Sequence, residues 1–326
     1  MSGTNPHQQT DLSVVIPVYN SDRIFPELYR RLCAVLEKSA PSFEIIAVLD
    51  GCTDNSLSII SGLAARDSRL KVIEFSRNFG HQAAVTAGLH HAGGDRVAIL
   101  DDDLEDPPEV LPAFLARLNE GFDVVYGIRK RRKRSFFIRT LFSCFYRLSG
   151  KLFDIDIPRD SGDFCVMTRR VLQVLLAMPE NNRYLRGMRA WAGFNQTGIE
   201  YERGERFSGA SGYTLRKYFS LAFDGIFSFS FRPLKYVTFI GVFIALLSFA
   251  YASLIVYMKL AGHIPDVPGW TFLTVAVLFL SGIQLIAMGV MGEYVSRIYD
   301  EVKHRPPYVI RIKIGFTAGE QREQPS

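Results

Sequence analysis

Short apolar runs alternate with longer amphipathic stretches through the first part of the chain. The apolar runs cover residues 12–19, 44–49, 70–76, 96–101 and 123–127, and the stretches between them cover residues 25–38, 56–66, 81–91 and 108–120. Continuously apolar runs are typical of strands that are covered on both faces, and the intervening stretches have the length of crossover helices. The pattern therefore predicts an α/β fold in which a mainly parallel sheet binds ligands at the carboxyl ends of its strands.

Two long uncharged stretches lie in the second half of the chain. Residues 236–258 and residues 270–292 each comprise 23 residues without a charge. About 20 apolar residues are enough to cross a bilayer, so the sequence predicts two transmembrane helices. The basic residues that flank the pair on its outer sides are Arg232, Lys235, Arg297, Lys303, Arg305, Arg311 and Lys313. By the positive-inside rule we expect a multi-pass protein of the inner (plasma) membrane with its α/β domain and both termini in the cytoplasm.

These patterns divide the chain into six segments. The expected segments are a polar tail (1–11), the α/β domain (12–214), a juxtamembrane amphipathic segment (215–233), two transmembrane helices (234–258 and 270–292) and a cytoplasmic C-terminal segment (293–326). The Phe- and Leu-rich residues 215–231 suit a helix at the membrane interface, and packing on the domain is the alternative.

The net charge of +5 is the difference between an acidic and a basic half. Residues 1–128 carry 10 Lys and Arg against 18 Asp and Glu, whereas residues 129–326 carry 28 against 15. Because the basic half also holds the apolar stretches, membrane lipids are a better anionic partner than nucleic acid. Six consecutive basic residues, 129–134, suit contact with lipid headgroups, and a solvated loop is the alternative. No dinucleotide-binding or P-loop motif is present, which disfavours dehydrogenases and P-loop NTPases.

A dense acidic cluster directly follows the fourth predicted strand. It contains Asp101, Asp102, Asp103, Glu105 and Asp106. Crowded carboxylates repel one another unless a cation compensates, and Mg²⁺ or Mn²⁺ binds carboxylate oxygen while leaving places for phosphate. The cluster therefore predicts a divalent metal that bridges to a diphosphate. For Asp106 and Glu109, at the start of a predicted helix, capping is the favoured interpretation.

Other polar residues also follow predicted strands. Pro17, Tyr19 and Asn20 end the first strand and could hold a nucleobase, and Asp50 after the second strand could accept a hydrogen bond from a base N–H.

The motifs VVIPVYN, DGCTDNS, RNFGHQAAVTAGL and DDDLEDPP together resemble family 2 glycosyltransferases with the GT-A fold and its DxD metal motif. Further strings are similar to the polyprenyl-phosphate glycosyltransferases, which include dolichol-phosphate mannose synthase and bacterial undecaprenyl-phosphate glucosyltransferases; they are YGIRKRRKR, GDF, PENNRYLRG, RFSGASGY, SFSFRPL and MGEYVSRIYDEVKHRPPY. The resemblance covers nearly the whole chain. It implies a nucleotide-sugar-binding GT-A domain followed by interfacial and transmembrane helices.

The resemblance also implies roles for individual residues. The expected nucleotide-sugar contacts are Pro17, Tyr19, Asp50, Asp101 and Asp102, and Asn20 joins them by its position. The expected metal ligands are Asp101, Asp103 and Glu105, where Glu105 stands in place of the family's Gln. The expected contacts to the acceptor phosphate are Arg129, Arg206 and Ser211. The expected catalytic residues are Asp103 and Asp163; Asp163, in the GDF string, is the candidate acidic residue beside the reacting centre, with helix capping as its alternative.

The chain departs from the family pattern at four of these motifs. Ser21 replaces a Glu, Leu49 an Asp, Cys165 an Arg and Gly212 a Lys, so two expected cations are missing. The resulting hypothesis is an inverting transfer of a sugar, first choice glucose from UDP-glucose, to undecaprenyl phosphate at the cytoplasmic leaflet. The alternatives are a weakened nucleotide-sugar-binding membrane scaffold and, less favoured without a Q-x-x-R-W motif, a processive polysaccharide synthase. The sequence leaves a homo-oligomer open and predicts no nucleic-acid partner.

Overall fold

The computed structural model describes residues 10–129, 161–180, 183–202, 204, 232–261 and 269–317. The chain divides into two compact units. The first contains residues 1–139, 155–212 and 305–326, and the second contains residues 140–154 and 213–304.

The described part of the first unit holds one eight-stranded sheet with helices between its strands. The strands are β1 (Leu12–Val18), β2 (Phe43–Leu49), β3 (Leu70–Phe75), β4 (Arg96–Ile99), β5 (Val124–Arg129), β6 (Ser161–Thr168), β7 (Gln196–Tyr201) and β8 (Ile310–Ile314). The helices are α1 (Phe25–Ser39), α2 (Ser56–Ala64), α3 (His81–His91), α4 (Leu111–Asn119), α5 (Arg169–Ala177) and α6 (Leu185–Trp191). The predicted alternation from β1 to β5 is confirmed.

The sheet is mainly parallel, as predicted, but it is mixed. Its strand order is β7-β5-β6-β4-β1-β2-β3-β8. The β1–β2, β1–β4, β2–β3 and β5–β7 pairs are parallel. The pairs that β6 makes with β4 and β5 are antiparallel, as is the pair of β8 with β3. The sheet's central strands are fully buried, which explains their unbroken apolar sequences.

Helix α1 shows how the amphipathic stretches cover the sheet. Its buried residues are Phe25, Leu28, Leu32 and Leu36, spaced three and four apart. This spacing places them on one helical face, and that face joins the core formed with β1 and β2. Burial of this stripe therefore fixes the helix against the strands whose ends form the site.

Strand β8 was not predicted from the sequence. It lies in the segment 293–326 that we expected to be separate from the α/β domain, yet it pairs antiparallel with β3. Tyr308 stacks on Phe75 with ring centroids 5.1 Å apart, and Arg311 Nη1 lies 3.5 Å from Glu74 Oε1. Residues 305–326 therefore belong to the first unit.

The second unit is described over two long helices, α7 (Arg232–Leu260) and α8 (Trp270–Val302). Both predicted apolar stretches are thus helical. In the described residues, one segment, Phe279–Val302, has the length and composition to cross a membrane, and none of it is buried. A shorter apolar segment, Val237–Tyr251, lies in α7. The predicted interfacial helix, residues 215–231, lies outside the described residues.

Candidate active site

The predicted site residues of the first unit gather where β1, β2 and β4 end. Tyr19 and Asn20 follow β1, Asp50 follows β2, and the acidic cluster follows β4. These strands are parallel neighbours, so their carboxyl ends share one edge of the sheet. Pro17 is buried within β1, whereas the Tyr19 ring after it is 53% exposed and open to a ligand.

Asp50 joins two loops of this edge. Its Oδ1 and Oδ2 accept hydrogen bonds from the backbone N–H groups of Phe79 and Gly80, at 2.6 and 2.9 Å. Gly51 has φ +64°, and a Cβ there would lie 2.3 Å from Asn78 N. The loop after β2 therefore packs directly on the loop before α3. Asp50, which we predicted to accept a hydrogen bond from a base N–H, accepts hydrogen bonds from the loop before α3 in this structure.

Asn20 and Asp102 fix the loop after β1. The Oδ1 atom of Asn20 accepts a hydrogen bond from Thr53 N at 2.9 Å. Asp102 Oδ2 accepts hydrogen bonds from Tyr19 N, at 3.1 Å, and from the hydroxyl of Ser21. Burial raises the pKa of Asp102 to about 6 despite these hydrogen bonds. Ser21, noted only as a departure from the family pattern, thus ties the first strand's loop to the acidic cluster.

Asp101 pairs with a histidine, His81, for which no role in the site was predicted. Its Oδ1 lies 2.9 Å from His81 Nε2, at the first residue of α3. Burial disfavours the charged imidazole, but the hydrogen bond and charge of Asp101 raise the pKa of His81 overall. Asp101 Oδ2 also lies 3.9 Å from Arg129 Nη2. Asp101 therefore faces the imidazole of His81 and the guanidinium of Arg129 in this structure.

The predicted set of three metal ligands is not assembled. No group of three or more His, Cys, Asp or Glu side chains within the described ranges is arranged to hold a metal ion. Glu105 is buried, and its backbone N–H donates to Asp103 Oδ1 at 3.0 Å. Asp101 and Asp103 are partly exposed. Carboxylate oxygens such as theirs are the hard donors that Mg²⁺ prefers.

Arg129 and Asp106 form a network with Tyr201 around the buried Asp106 carboxylate. The contact of Arg129 with an acceptor phosphate stays a prediction. Asp106 is fully buried; Arg129 Nη2 donates to its Oδ2 at 2.8 Å, and the Tyr201 hydroxyl donates to its Oδ1. Burial raises the pKa of Asp106, and the adjacent guanidinium opposes that shift. The helix-capping interpretation of Asp106 is wrong, because no side-chain hydrogen bond caps the helical turn that follows.

Glu109 forms a two-point ion pair with Arg31 of α1. The hydrogen bonds from Arg31 and from the backbone N–H of Glu109 itself lower the pKa of its carboxyl, so the side chain contacts both a guanidinium and the first helical turn.

Asp163 lies inside β6 and not at a helix start, so its capping interpretation is wrong. Arg186 of α6 donates two hydrogen bonds to this carboxylate, from Nε to Oδ1 at 2.7 Å and from Nη2 to Oδ2 at 2.9 Å. Burial favours the neutral acid, but these hydrogen bonds and the charge of Arg186 lower the pKa of Asp163 overall. The side chain is therefore held ionised in one orientation.

The site includes residues that the sequence did not single out. His81 and Arg186 lie in quoted motifs, but their partners are 20 and 23 residues away and no local pattern pairs them. Tyr201 ends β7, a strand outside the predicted alternation. The predicted acceptor-side residues Arg206 and Ser211, the departure Gly212 and the basic residues 130–134 lie outside the described residues.

The carboxylate-rich edge of a mainly parallel sheet fits an enzyme that handles a nucleotide sugar, and the chain is a glycosyltransferase. The family model for glycosyl transferase family 2 matches residues 13–176. The chain belongs to that family.

Relatives of known sequence are similar over nearly the full length. The chain is 41% identical over 305 residues to the uncharacterized glycosyltransferase YkcC of Bacillus subtilis (strain 168), covering 93% of this chain and 94% of that protein. It is 39% identical over 301 residues to the bactoprenol glucosyl transferase of Shigella phage SfV, covering 92% and 98%. Mannosyltransferase PcManGT from Pyrobaculum calidifontis, solved with GDP-Man and Mn²⁺, is 16% identical with a TM-score of 0.47, covering 92% and 89%.

Proposed function

We propose that this glycosyltransferase moves glucose from UDP-glucose to a polyprenyl phosphate, with undecaprenyl phosphate as the acceptor. The observation that carries the proposal is the 39% identity to the SfV bactoprenol glucosyl transferase over 301 residues. An alignment of that length cannot be confined to residues 13–176, so it includes parts of the chain beyond the family model. The similarity therefore extends to the portion that would meet a lipid acceptor.

The donor would lie on the sheet edge formed by the ends of β1, β2 and β4. The exposed Tyr19 ring offers a face for the base, and the loops that Asp50 and Asp102 hold together form the floor. Asp101 and Asp103 would hold Mg²⁺ or Mn²⁺, which neutralises charge on a bound diphosphate. Glu105 is not part of this proposed pair, because its side chain is buried.

The transfer needs little proton chemistry from the protein. A phosphate oxygen of the acceptor attacks the anomeric carbon, and the bond between that carbon and the nucleotide diphosphate oxygen breaks, which inverts the configuration. Because the acceptor oxygen is already ionised near pH 7, positioning and charge complementarity supply most of the rate. Asp163, fixed by Arg186, would orient the sugar or the acceptor rather than remove a proton.

We also propose that α7 and α8 anchor the enzyme in a membrane as two spans, with the catalytic unit on the cytoplasmic side. The support is the uncharged sequence of both stretches and the exposure of their apolar side chains, Phe249 at 75% and Ile286 at 67% among them. Apolar helix surfaces of this extent are stable in lipid and unfavourable in water. Accessibility of single cysteines placed at 265 and near each terminus tests the topology; a loop cysteine labelled only from the cytoplasm would contradict it.

The test of the reaction uses the full chain in nanodiscs with undecaprenyl phosphate and labelled UDP-glucose. We expect label in an organic-extractable lipid, and loss of that product with EDTA. Asp103→Asn keeps an oxygen that can accept the Glu105 N–H but removes the charge, so we expect at least about a hundredfold loss of rate. Glu120→Ala, at the end of α4, is the control.

Three outcomes separate the alternatives. Full activity in both Asp103→Asn and Asp103→Ala would refute the metal role. Donor binding without any lipid product would favour the scaffold hypothesis. Transfer from another nucleotide sugar at a higher kcat/KM than from UDP-glucose would correct the donor and leave the acceptor proposal intact.

A further inference from the structure

Two arginines of helix α6 lie against one face of strand β6. Arg186 and Arg189 are three residues apart on the helix, so they share a helical face. Asp163 and Cys165 are two residues apart on the strand, so they share a strand face. All four side chains line one small cavity between these elements. The matching spacings put Arg186 against Asp163 and Arg189 beside Cys165.

Within the part of the chain that the structure describes, Arg189 lies in this cavity without an acidic partner of its own. It is only 4% exposed, and its guanidinium lies 5.1 Å from the centre of the Tyr126 ring. Tyr126 is the cross-strand neighbour of Cys165 in the β5–β6 pair. Among the described residues, Arg189 forms no ion pair, whereas Arg186 grips Asp163 at two points.

The charges in the cavity do not cancel. Two guanidinium groups and one carboxylate line it, which leaves one buried positive charge. Burying a charge without a partner is unfavourable, and the tyrosine ring offsets only part of that penalty. Burial also raises the pKa of the Cys165 thiol, so this neighbour stays neutral and cannot balance Arg189. The unbalanced charge of Arg189 therefore lowers the stability of the fold, and the contacts named so far do not compensate for it.

We propose that Arg189 is a positioning residue for Asp163, and that the small neutral side chain of Cys165 leaves the room its guanidinium needs. Arg189 adds a second positive charge that keeps Asp163 ionised and oriented toward the sheet edge. Position 165 is also one of the places where the family pattern has an arginine. Beside the Arg186–Asp163 pair, the same strand face can hold one further cation, from the strand or from the helix, but a third guanidinium would be repelled in this buried space.

The functional half of this proposal rests on the proposed glucosyl transfer, and the test is built to separate the two. The variants are Arg189→Met, Arg189→Lys, Cys165→Arg and the exchange Cys165→Arg with Arg189→Met, all in the full chain. The control is Arg170→Met, because Arg170 also lies over an aromatic ring, Phe194 at 5.0 Å, but is 68% exposed on its side chain. Lipid-linked product, KM for the donor and Tm are measured for each.

We expect Arg189→Met to lower kcat at least about tenfold with little change in donor KM, because Asp163 is misplaced but the donor edge is intact. Arg189→Lys keeps the charge and should retain most of kcat, and Arg170→Met should match the wild type. Cys165→Arg alone should lower both Tm and kcat. The exchange variant should exceed both single variants in Tm and in kcat.

Two results would overturn the proposal. One is an unchanged kcat in Arg189→Met at temperatures where the variant is folded. The other is an exchange variant whose Tm loss equals the sum of the two single losses. If the wild type makes no glycolipid from any nucleotide sugar, the proposed function fails, and the Tm comparison of the four variants still decides whether positions 165 and 189 share one cation.

Discussion

Arg129→Met tests whether Arg129 is a structural partner of Asp106 or a free cation for phosphate, as its position in the motif implies. In the structure Arg129 Nη2 lies 2.8 Å from Oδ2 of the fully buried Asp106. The substitution keeps a long unbranched side chain but removes the charge. Asp106 would then stay in the core with the Tyr201 hydroxyl as its remaining described hydrogen-bond donor.

The expected loss follows from the burial of the partner. Removing one member of a buried ion pair costs about 3–5 kcal/mol because the other charge is left uncompensated. The retained Tyr201 hydrogen bond and the 29% exposure of the Arg129 side chain place this site at the lower end, about 3 kcal/mol. For a domain of this size that corresponds to a fall in Tm of roughly 6–12 °C.

Arg31→Met is the matched control. Arg31 Nη2 lies 2.7 Å from Glu109 Oε2, and its side chain is 30% exposed, close to the 29% of Arg129. The difference is the partner, because Glu109 is 49% exposed and Asp106 is fully buried. Exposed ion pairs contribute about 0–1 kcal/mol, so the control should lower Tm by less than about 4 °C.

The assay is thermal unfolding of the purified full chain in detergent, followed by the fluorescence of its tryptophans. Asp106→Asn combined with Arg129→Met removes both charges and should recover at least half of the lost Tm. A Tm for Arg129→Met equal to that of Arg31→Met would refute the structural role. A loss of glucosyl transfer without a loss of Tm would instead support the phosphate-binding role predicted from the sequence.

Three further predictions concern the core of the first unit. Gly88→Ala should destabilise it by about 1–3 kcal/mol in chemical denaturation, because the new Cβ would lie 2.2 Å from Val15 Cγ1. Tyr308→Ala should lower Tm through loss of its stacking on Phe75, whereas Tyr308→Phe should not; equal losses would argue against the packing of this segment on β3. Burial and nearby Arg183 lower the pKa of His90 from 6.5 to about 4, so the unfolded chain takes up a proton first as the pH falls. Stability should therefore decrease between pH 6.5 and 4, and His90→Gln should flatten that decrease in urea titrations at each pH.

The first five strands and four helices could be predicted because their signals are local. Each central strand is an unbroken apolar run, and each helix carries its own apolar stripe. The antiparallel strands could not be placed in the same way. β6 enters between β4 and β5, and β8 pairs with β3 from more than 230 residues away, and periodicity does not report which strand will be a neighbour.

The site residues also divide into those that local sequence could predict and those that depend on distant partners. The strand ends located Tyr19, Asp50 and the acidic cluster, because turns after parallel strands meet at one edge. The roles of individual carboxylates depended on partners from distant elements. Asp163 was assigned without Arg186, and Arg129 without Asp106, because an ion pair across 23 residues has no sequence period.

Because strand β8 comes after both long helices in the chain, the sheet can be completed only at the end of synthesis. The edge of β3 that β8 covers is made by residue 75, but its partner begins at residue 310, after both long helices. At about 5–20 residues per second, that edge waits on the order of 10–50 s for its last strand. An uncovered strand edge is a template for pairing with other chains. A ribosome that stalls between the helices would therefore leave a nascent chain in which seven of the eight strands are made and the β3 edge is still unpaired.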